Sequence, residues 1–131
     1  VERLQINKNI SFPNIFDKDV IIDKTVTIGF GNIICKGSIL TTNLEIGNFN
    51  HINLNCTVGH DVQFHDYITV YPGVNISGNV RINDCVEIGT GTKIIQGKEI
   101  VKETVIGAGS VVVKDIVENG TYIGVPAKQM K

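Results

Sequence analysis

Apolar side chains recur at every sixth position along most of this chain. They are Leu4, Ile10, Phe16, Ile22, Ile28, Ile34, Leu40, Ile46, Ile52, Val58, Phe64, Val70, Ile76, Ile82, Ile88, Ile94, Ile100, Ile106 and Val112. Six is a multiple of the strand repeat of two and not of the helical repeat of 3.6. A strand therefore keeps the whole ladder on one face, whereas a helix spreads it around its surface. Most members are isoleucine or valine, which favour strands, so the ladder predicts a short strand in every six-residue repeat.

A second column of mostly narrow residues stands two positions before the ladder residues, from Val20 to Ser110. Valine, isoleucine, threonine, serine and cysteine make up most of this column, and they suit a tapering corner. Glycine or asparagine often follows a ladder residue, and both tolerate the positive φ of a sharp bend. Each repeat is thus predicted to be a strand and a corner. A unit this short cannot bury a face alone, so the repeats must stack on one another.

Beyond Val112 the ladder lapses, because Glu118 and Gly124 occupy its next two slots. We expect residues 115–131 to form a short terminal strand or a cap over the last coil.

The size and charge of the chain narrow its class. At 131 residues it has the length of one domain, which we divide into a polar lead-in, residues 1–13, and a β-helix, residues 14–131. The net charge is −1 and 19% of the residues are charged, so no basic excess indicates a nucleic-acid partner. The apolar stretches are far too short for a membrane span, and we expect no membrane partner.

The chain has three cysteines, Cys35, Cys56 and Cys85, an odd number without a CxxC spacing. This pattern predicts free thiols in the reducing cytoplasm. Cys56 falls in the narrow column, so we expect it to be packed in the interior.

The hexads resemble the left-handed parallel β-helix of the hexapeptide-repeat acyltransferases, in which three hexads make one triangular coil. That resemblance implies an all-β fold of about six coils. It also supplies the handedness, since chain physics alone favours right-handed crossovers. Within the family, the chain is most similar to the group of sialic acid O-acetyltransferases and bacillosamine-type UDP-amino-sugar N-acetyltransferases. The matching segments are residues 55–62 (NCTVGHDV), 71–80 (YPGVNISGNV), 88–91 (IGTG), 105–111 (VIGAGSV) and 124–128 (GVPAK).

In that group a nucleotide-binding α/β domain normally precedes the β-helix, and residues 12–14 (FPN) resemble the join between the two. The chain also lacks an initiator methionine. We therefore expect it to be part of a longer protein.

His60 and Asp61 lie two and three residues after the ladder residue Val58, which predicts an outward-facing corner. The resemblance implies that His60 is the general base of acyl transfer and that Asp61 raises its basicity. An imidazole with an ordinary pKa of about 6.5 suits proton removal near neutral pH. The resemblance also implies a substrate-binding role for Asn53. The alternatives are a surface histidine beside a solvated aspartate, and a turn asparagine.

Residues 18 apart stack in this fold, so Gly78 is expected beside His60, and Ala108 beside Thr90. The resemblance implies that these three residues, Gly78, Thr90 and Ala108, hold the pantetheine arm of acetyl-CoA. It further suggests that Lys128 meets the CoA phosphates. The alternatives are that the small residues only relieve tight corners and that the lysine is solvated.

The spacing of His60 and His65 matches two zinc ligands of the γ-class carbonic anhydrases, which share the β-helix. A third histidine is required two coils earlier, where this chain has Lys24. Two histidines hold zinc poorly, so we predict no metal site and expect His51 and His65 to be surface residues. Thr69 stands where many of the resembling acyltransferases carry a second histidine.

Taken together, the residues and the resemblance predict a cytoplasmic homotrimer that transfers acetyl from acetyl-CoA to a sugar or nucleotide-sugar acceptor in surface-glycan synthesis. The alternative is a non-catalytic β-helix that serves as a trimerisation scaffold.

Overall fold

The structure, a computed structural model, describes residues 2–5 and 9–131. These residues form one helical turn, α1 (Glu2–Gln5), and nineteen strands. No helix in the described part of the chain is long and apolar enough to cross a membrane. The strands are β1 (Ile15–Phe16), β2 (Ile21–Ile22), β3 (Thr27–Ile28), β4 (Ile33–Ile34), β5 (Ile39–Leu40), β6 (Glu45–Ile46), β7 (His51–Ile52), β8 (Thr57–Val58), β9 (Gln63–Phe64), β10 (Thr69–Val70), β11 (Asn75–Ile76), β12 (Arg81–Ile82), β13 (Glu87–Ile88), β14 (Lys93–Ile94), β15 (Glu99–Ile100), β16 (Thr104–Ile106), β17 (Val111–Val112), β18 (Gly120–Ile123) and β19 (Lys128–Gln129).

Every third strand pairs in parallel, which makes three sheets that run along the molecule. Sheet A contains β1, β4, β7, β10, β13, β16 and β18, with β19 added antiparallel at its end. Sheet B contains β2, β5, β8, β11, β14 and β17, and sheet C contains β3, β6, β9, β12 and β15. The predicted all-β solenoid of about six coils is confirmed, with α1 as a short addition before it. At about 4.8 Å per strand, six coils span roughly 29 Å.

The ladder fills the interior, where every ladder residue from Ile34 to Val112 is buried. At the first coil Phe16 and Ile22 remain exposed, because their strands β1 and β2 are edge strands, each paired with a strand on one side only. The prediction that the ladder begins at Leu4 is wrong. Leu4 lies in α1 and Ile10 lies outside any strand, and both are exposed. Six-residue spacing produces a strand only where a neighbouring coil offers hydrogen-bond partners.

From Asn32 to Ser110 the narrow column is also buried, except at the half-buried Lys98, and part of it is an asparagine ladder. Asn32 donates to the side-chain oxygen of Asn14 at 3.0 Å and accepts from the backbone N–H of Asn50 at 2.9 Å. Asn50 in turn accepts from the N–H of Ile68 and donates to the carbonyl of His65, both at 2.9 Å. These bonds tie successive coils together inside the solenoid, where unpaired polar groups are costly.

The corners repeat one backbone conformation. Every sixth residue from Gly31 to Gly109 has a positive φ, and eight of these residues are not glycine. Three of the eight matter below, namely Asn43 (φ 61°), Asp61 (φ 58°) and Asn79 (φ 60°). They lie at the B–C corner, the edge that follows each sheet B strand. The A–B and C–A corners follow the strands of sheets A and C.

The last coil is two residues shorter than the others. Strands of the inner coils pair 18 residues apart, but Ile100 bridges to Ile116 and Ile106 pairs with Tyr122, each 16 residues on. Ile116 is buried, so it takes the ladder position that Glu118 would hold in an unbroken count. The predicted terminal cap is confirmed, as β18 joins sheet A and β19 folds back on it.

Candidate active site

His60 and Asp61 form a hydrogen-bonded pair at the B–C corner, directly after strand β8. His60 Nδ1 lies 2.7 Å from Asp61 Oδ2. The side chains are 51% and 43% exposed, so the pair faces outward as the hexad slot predicts. The backbone also holds this corner in place, because the carbonyl of His60 accepts from the N–H of Asn79 at 2.8 Å.

The imidazole ring of His60 lies against Gly78, one coil further along the chain. A Cβ atom at residue 78 would lie 2.6 Å from His60 Cε1 and 2.7 Å from Cδ2, and closer still to Nε2. Gly78 is buried beneath the ring. The predicted stacking of these two residues is therefore confirmed, and glycine is required there to leave space for the imidazole.

The carboxylate of Asp61 has a second partner that sequence reasoning missed. Asn43 Nδ2 donates to Asp61 Oδ1 at 2.6 Å from the preceding coil. The hydrogen bond from His60, and then that from Asn43, hold the pKa of Asp61 below its usual value. The signal was present in the sequence, because Asn43 stands 18 residues before Asp61 in the same corner column.

The remaining predicted site residues lie elsewhere on the same protomer. Asn53 follows β7, and Thr90 and Ala108 follow β13 and β16, so all three occupy the A–B corner. Thr90 and Ala108 stack as predicted: their columns are joined by a 2.8 Å bond from the N–H of Gly109 to the carbonyl of Thr90. Lys128 is exposed in β19. Within one chain, the structure thus brings His60, Asp61 and Gly78 together and leaves the other four at another corner or in the terminal cap.

The other histidines occupy different surfaces. His51 points outward from sheet A, with Nε2 3.4 Å from Cys35 Sγ. Burial, and then the charge of Asp17, raise the pKa of the Cys35 thiol, which makes it a poor nucleophile at neutral pH. His65 lies at the C–A corner, with Nδ1 3.8 Å from a carboxylate oxygen of Asp84.

The described residues contain no group of three His, Cys, Asp or Glu side chains placed to hold a metal ion. His60 and His65 follow strands of different sheets, so they lie at different edges of the solenoid. The three cysteines are free thiols, and Cys56 is buried in the interior as its column predicts.

The corner pair has the geometry of an oriented general base. A carboxylate that accepts the Nδ1 proton leaves Nε2 free to remove a proton from a nucleophile. The ring is exposed, so a substrate can approach it. The fold and the repeated corners define a hexapeptide-repeat β-solenoid.

No protein-family model matches this chain. It is similar to the GDP-perosamine N-acetyltransferase of Escherichia coli O157:H7, at 39% identity over 100 residues, a match that covers 76% of this chain and 42% of that protein.

Two solved structures are similar to the chain over almost its whole length. A perosamine N-acetyltransferase from Caulobacter crescentus, a histidine-to-asparagine variant in complex with CoA and GDP-perosamine, aligns with a TM-score of 0.93 and 28% identity. That alignment covers 97% of this chain and 60% of the other. The acetyltransferase domain of PglB from Neisseria gonorrhoeae, in complex with acetyl coenzyme A, aligns with a TM-score of 0.93 and 26% identity, covering 98% and 64%.

These likenesses confirm the predicted resemblance to the hexapeptide-repeat sugar acetyltransferases. The chain spans about two fifths of the curated relative and about three fifths of the solved neighbours.

Proposed function

We propose that this protein transfers an acetyl group from acetyl-CoA to the amine or hydroxyl of a nucleotide-linked sugar, in the synthesis of surface glycans. The observation that carries the proposal is the outward His60–Asp61 pair, with its imidazole accommodated by Gly78. The similar proteins support the class of substrates, since two are named perosamine N-acetyltransferases and the solved ones were captured with CoA or acetyl-CoA.

In the proposed mechanism, Nε2 of His60 takes a proton from the attacking amine or hydroxyl. The nucleophile adds to the thioester carbonyl, and the C–S bond then breaks to release CoA, whose sulfur takes up a proton. Asp61 keeps the imidazole oriented and stabilises the imidazolium that forms. A backbone N–H serves as the oxyanion donor. Such a base is typically worth about 10²–10⁴ in rate.

For acetyl-CoA, the small residues at the A–B corner provide the fitting surface. Thr90 and Ala108 are exposed and stacked, so an extended pantetheine arm can lie close to the coils there. Lys128 in the terminal cap supplies a positive charge for a phosphate. Gly78 lies at the B–C corner, buried behind the His60 ring, and what it contributes there is space for the imidazole.

A homotrimer completes this arrangement, because the A–B corner of one protomer would face the B–C corner of the next. Asn53 would then reach a substrate held at the neighbour's His60. The flat faces of sheets A and B support such packing, since Ile15, Ile21 and Ile33 point outward and are exposed. Light scattering at micromolar concentration should give the mass of three chains, and the mass of a single chain would contradict the shared site.

The same proposal places the protein in the cytoplasm. Free thiols suit a reducing compartment, and acetyl-CoA and nucleotide sugars are substrates of that compartment.

The test is steady-state release of CoA with a 4-amino-sugar nucleotide such as GDP-perosamine as acceptor. His60→Ala should lower turnover by about 10²–10⁴ with acetyl-CoA affinity nearly unchanged, because a base acts in the transition state. Asp61→Asn should do less and should move the acidic limb of the rate profile to lower pH, because a neutral neighbour no longer favours imidazolium. His51→Ala and His65→Ala are the matched controls and should be nearly silent.

Two outcomes would overturn the assignment. If His60→Ala keeps more than about a third of wild-type turnover, or if His65→Ala is equally damaging, His60 is not the base. A trimer that neither binds CoA nor turns over the thioester would instead support the scaffold alternative.

A further inference from the structure

We propose that Asn43 is a positioning residue for the His60–Asp61 pair and that it acts from the neighbouring coil by fixing the Asp61 carboxylate. This inference rests on the proposed function of the pair. It adds a residue outside the sequence motif that carries the resemblance.

The geometry accounts for both oxygens of the carboxylate. Oδ2 of Asp61 lies 2.7 Å from His60 Nδ1, and Oδ1 accepts from Asn43 Nδ2 at 2.6 Å. With one partner on each oxygen, the carboxylate plane cannot rotate without breaking a hydrogen bond. Without Asn43, only the bond to His60 restrains that rotation. The amide therefore determines the direction in which the carboxylate meets the imidazole.

The same contacts determine which ring nitrogen of His60 carries the proton. The pKa of Asp61 is lowered, first by the bond from His60 and then by that from Asn43, so the carboxylate is ionised at neutral pH. An ionised carboxylate only accepts, so Asn43 must present its NH₂ group and His60 its Nδ1–H. In the neutral ring, Nε2 is then the nitrogen without a proton, and it is the one that lies over Gly78.

Asn43 is itself held by residues of the preceding coil. Its backbone N–H donates to Thr25 Oγ1 at 2.7 Å, and the Thr25 hydroxyl donates to Asp23 Oδ1 at 2.5 Å. Asn43 also adopts the left-handed conformation (φ 61°), which asparagine tolerates better than most residues. A backbone fixed in this way keeps the amide under Asp61.

Few charged groups lie near the His60–Asp61 pair. Glu45 and Arg81 begin the sheet C strands that follow this corner, one coil to either side of Gln63, and both are present in every variant. At the corner itself, the other charged groups are Asp23 and Lys24 two coils before His60, and Lys114 and Asp115 three coils after it. At about 4.8 Å per coil these lie roughly 10 Å or more away, where salt screens exposed charges. A change at residue 43 should therefore dominate any shift in the pH profile.

The experiment compares three variants of the full chain. Asn43→Gly removes the amide and keeps the left-handed backbone. Asn43→Asp replaces the donor with a second carboxylate. Asn79→Gly is the matched control. It makes the same substitution at a residue with nearly the same φ, one coil beyond Asp61. Glycine keeps the backbone N–H that donates to the carbonyl of His60.

We expect Asn43→Gly to lower kcat by roughly tenfold, less than the loss of the base itself, with KM for acetyl-CoA unchanged. The acidic limb of kcat/KM should move to lower pH in Asn43→Gly, because the carboxylate is less well aimed at the imidazole. It should move to higher pH in Asn43→Asp, because the added negative charge favours imidazolium. Asn79→Gly should leave kcat and both limbs in place.

A second readout needs no substrate. In protein labelled with ¹⁵N-histidine, the His60 ring signals should show the Nδ1–H tautomer in the wild type and in Asn79→Gly, and a mixture of tautomers in Asn43→Gly. If the tautomer changes but no acceptor is ever acetylated, the positioning role stands and the proposed reaction fails. If acetylation is observed and Asn43→Gly matches Asn79→Gly in kcat, pH limb and tautomer, the positioning role is overturned.

Discussion

Gly78→Ala should abolish most activity while leaving the fold intact. Gly78 is not among the residues with positive φ, so alanine meets no backbone strain there. The added methyl group would lie 2.6 Å from His60 Cε1 and 2.7 Å from Cδ2, and closer still to Nε2. Carbon atoms normally approach no closer than about 3.5 Å, so the ring must move by roughly 1 Å or leave its position.

The imidazole has somewhere to go, because its side chain is 51% exposed. Rotation into solvent breaks the 2.7 Å contact with Asp61 and removes Nε2 from its place over residue 78. An exposed pair of this kind contributes little to stability. The exchange of glycine for alanine raises the free energy of unfolding by about 0.4–1 kcal/mol, because it reduces the conformational entropy of the unfolded chain. The melting temperature should therefore be nearly unchanged, while turnover falls by about 10²–10⁴, as in His60→Ala.

A double-mutant cycle with CoA release as the assay isolates this effect. Gly78→Ala, His60→Ala and the double variant should have similar turnover, because the second change has no ring left to displace. Wild-type turnover in Gly78→Ala would refute the argument. A double variant far slower than His60→Ala, with a raised KM for acetyl-CoA, would show instead that Gly78 acts mainly on the cofactor.

Three further predictions concern the scaffold and the pH response. Asn50→Val should lower the free energy of unfolding by about 2–4 kcal/mol in urea titration, because the N–H of Ile68 and the carbonyl of His65 lose their buried partner. The pKa of Asp61 is lower in the folded state than in the unfolded state, where it is about 3.9. The ionised Asp61 therefore stabilises the fold above about pH 3.9, and this stabilisation is lost as pH falls through the lower pKa of the folded state. The melting temperature of the wild type should accordingly decline relative to Asp61→Asn below about pH 4, and only slightly, because the pair is exposed. Insertion of one residue after Gly78 should prevent cooperative folding by circular dichroism, because every later ladder residue moves to the outer face; an unchanged melting point would contradict the stacked-coil account.

The core could be predicted from the sequence because one spacing controls both strand pairing and burial. Each ladder residue from Ile34 to Val112 meets another ladder residue 18 positions away, so local pattern and long-range contact coincide. Leu4 and Ile10 share the pattern but not the contact, and they are exposed. Spacing alone does not indicate where the stack begins.

The candidate site was only partly accessible from the sequence, for a related reason. His60 and Asp61 are adjacent in the chain, so their pairing follows from their slot in the hexad. Asn43 reaches Asp61 only through the stacking of coils, and it carries no motif of its own. Asn53 is close to His60 in the sequence but follows a strand of a different sheet, so closeness along the chain did not become closeness in space within one protomer.

The shortened last coil shows that the alternation of side chains between the two faces of a strand, more than a strict six-residue spacing, determines which residues are buried. The step from Val112 to Ile116 omits two residues of a normal corner, yet Ile116 is buried and bridges to Ile100. Because side chains alternate between the two faces of a strand, an even deletion keeps the inner face apolar, whereas an odd one would turn it outward. The chain then resumes its six-residue step, and Tyr122 pairs with Ile106 at the end of the stack. A strict count of six loses the ladder at Glu118, although the alternation that buries Ile116 is still present in the sequence.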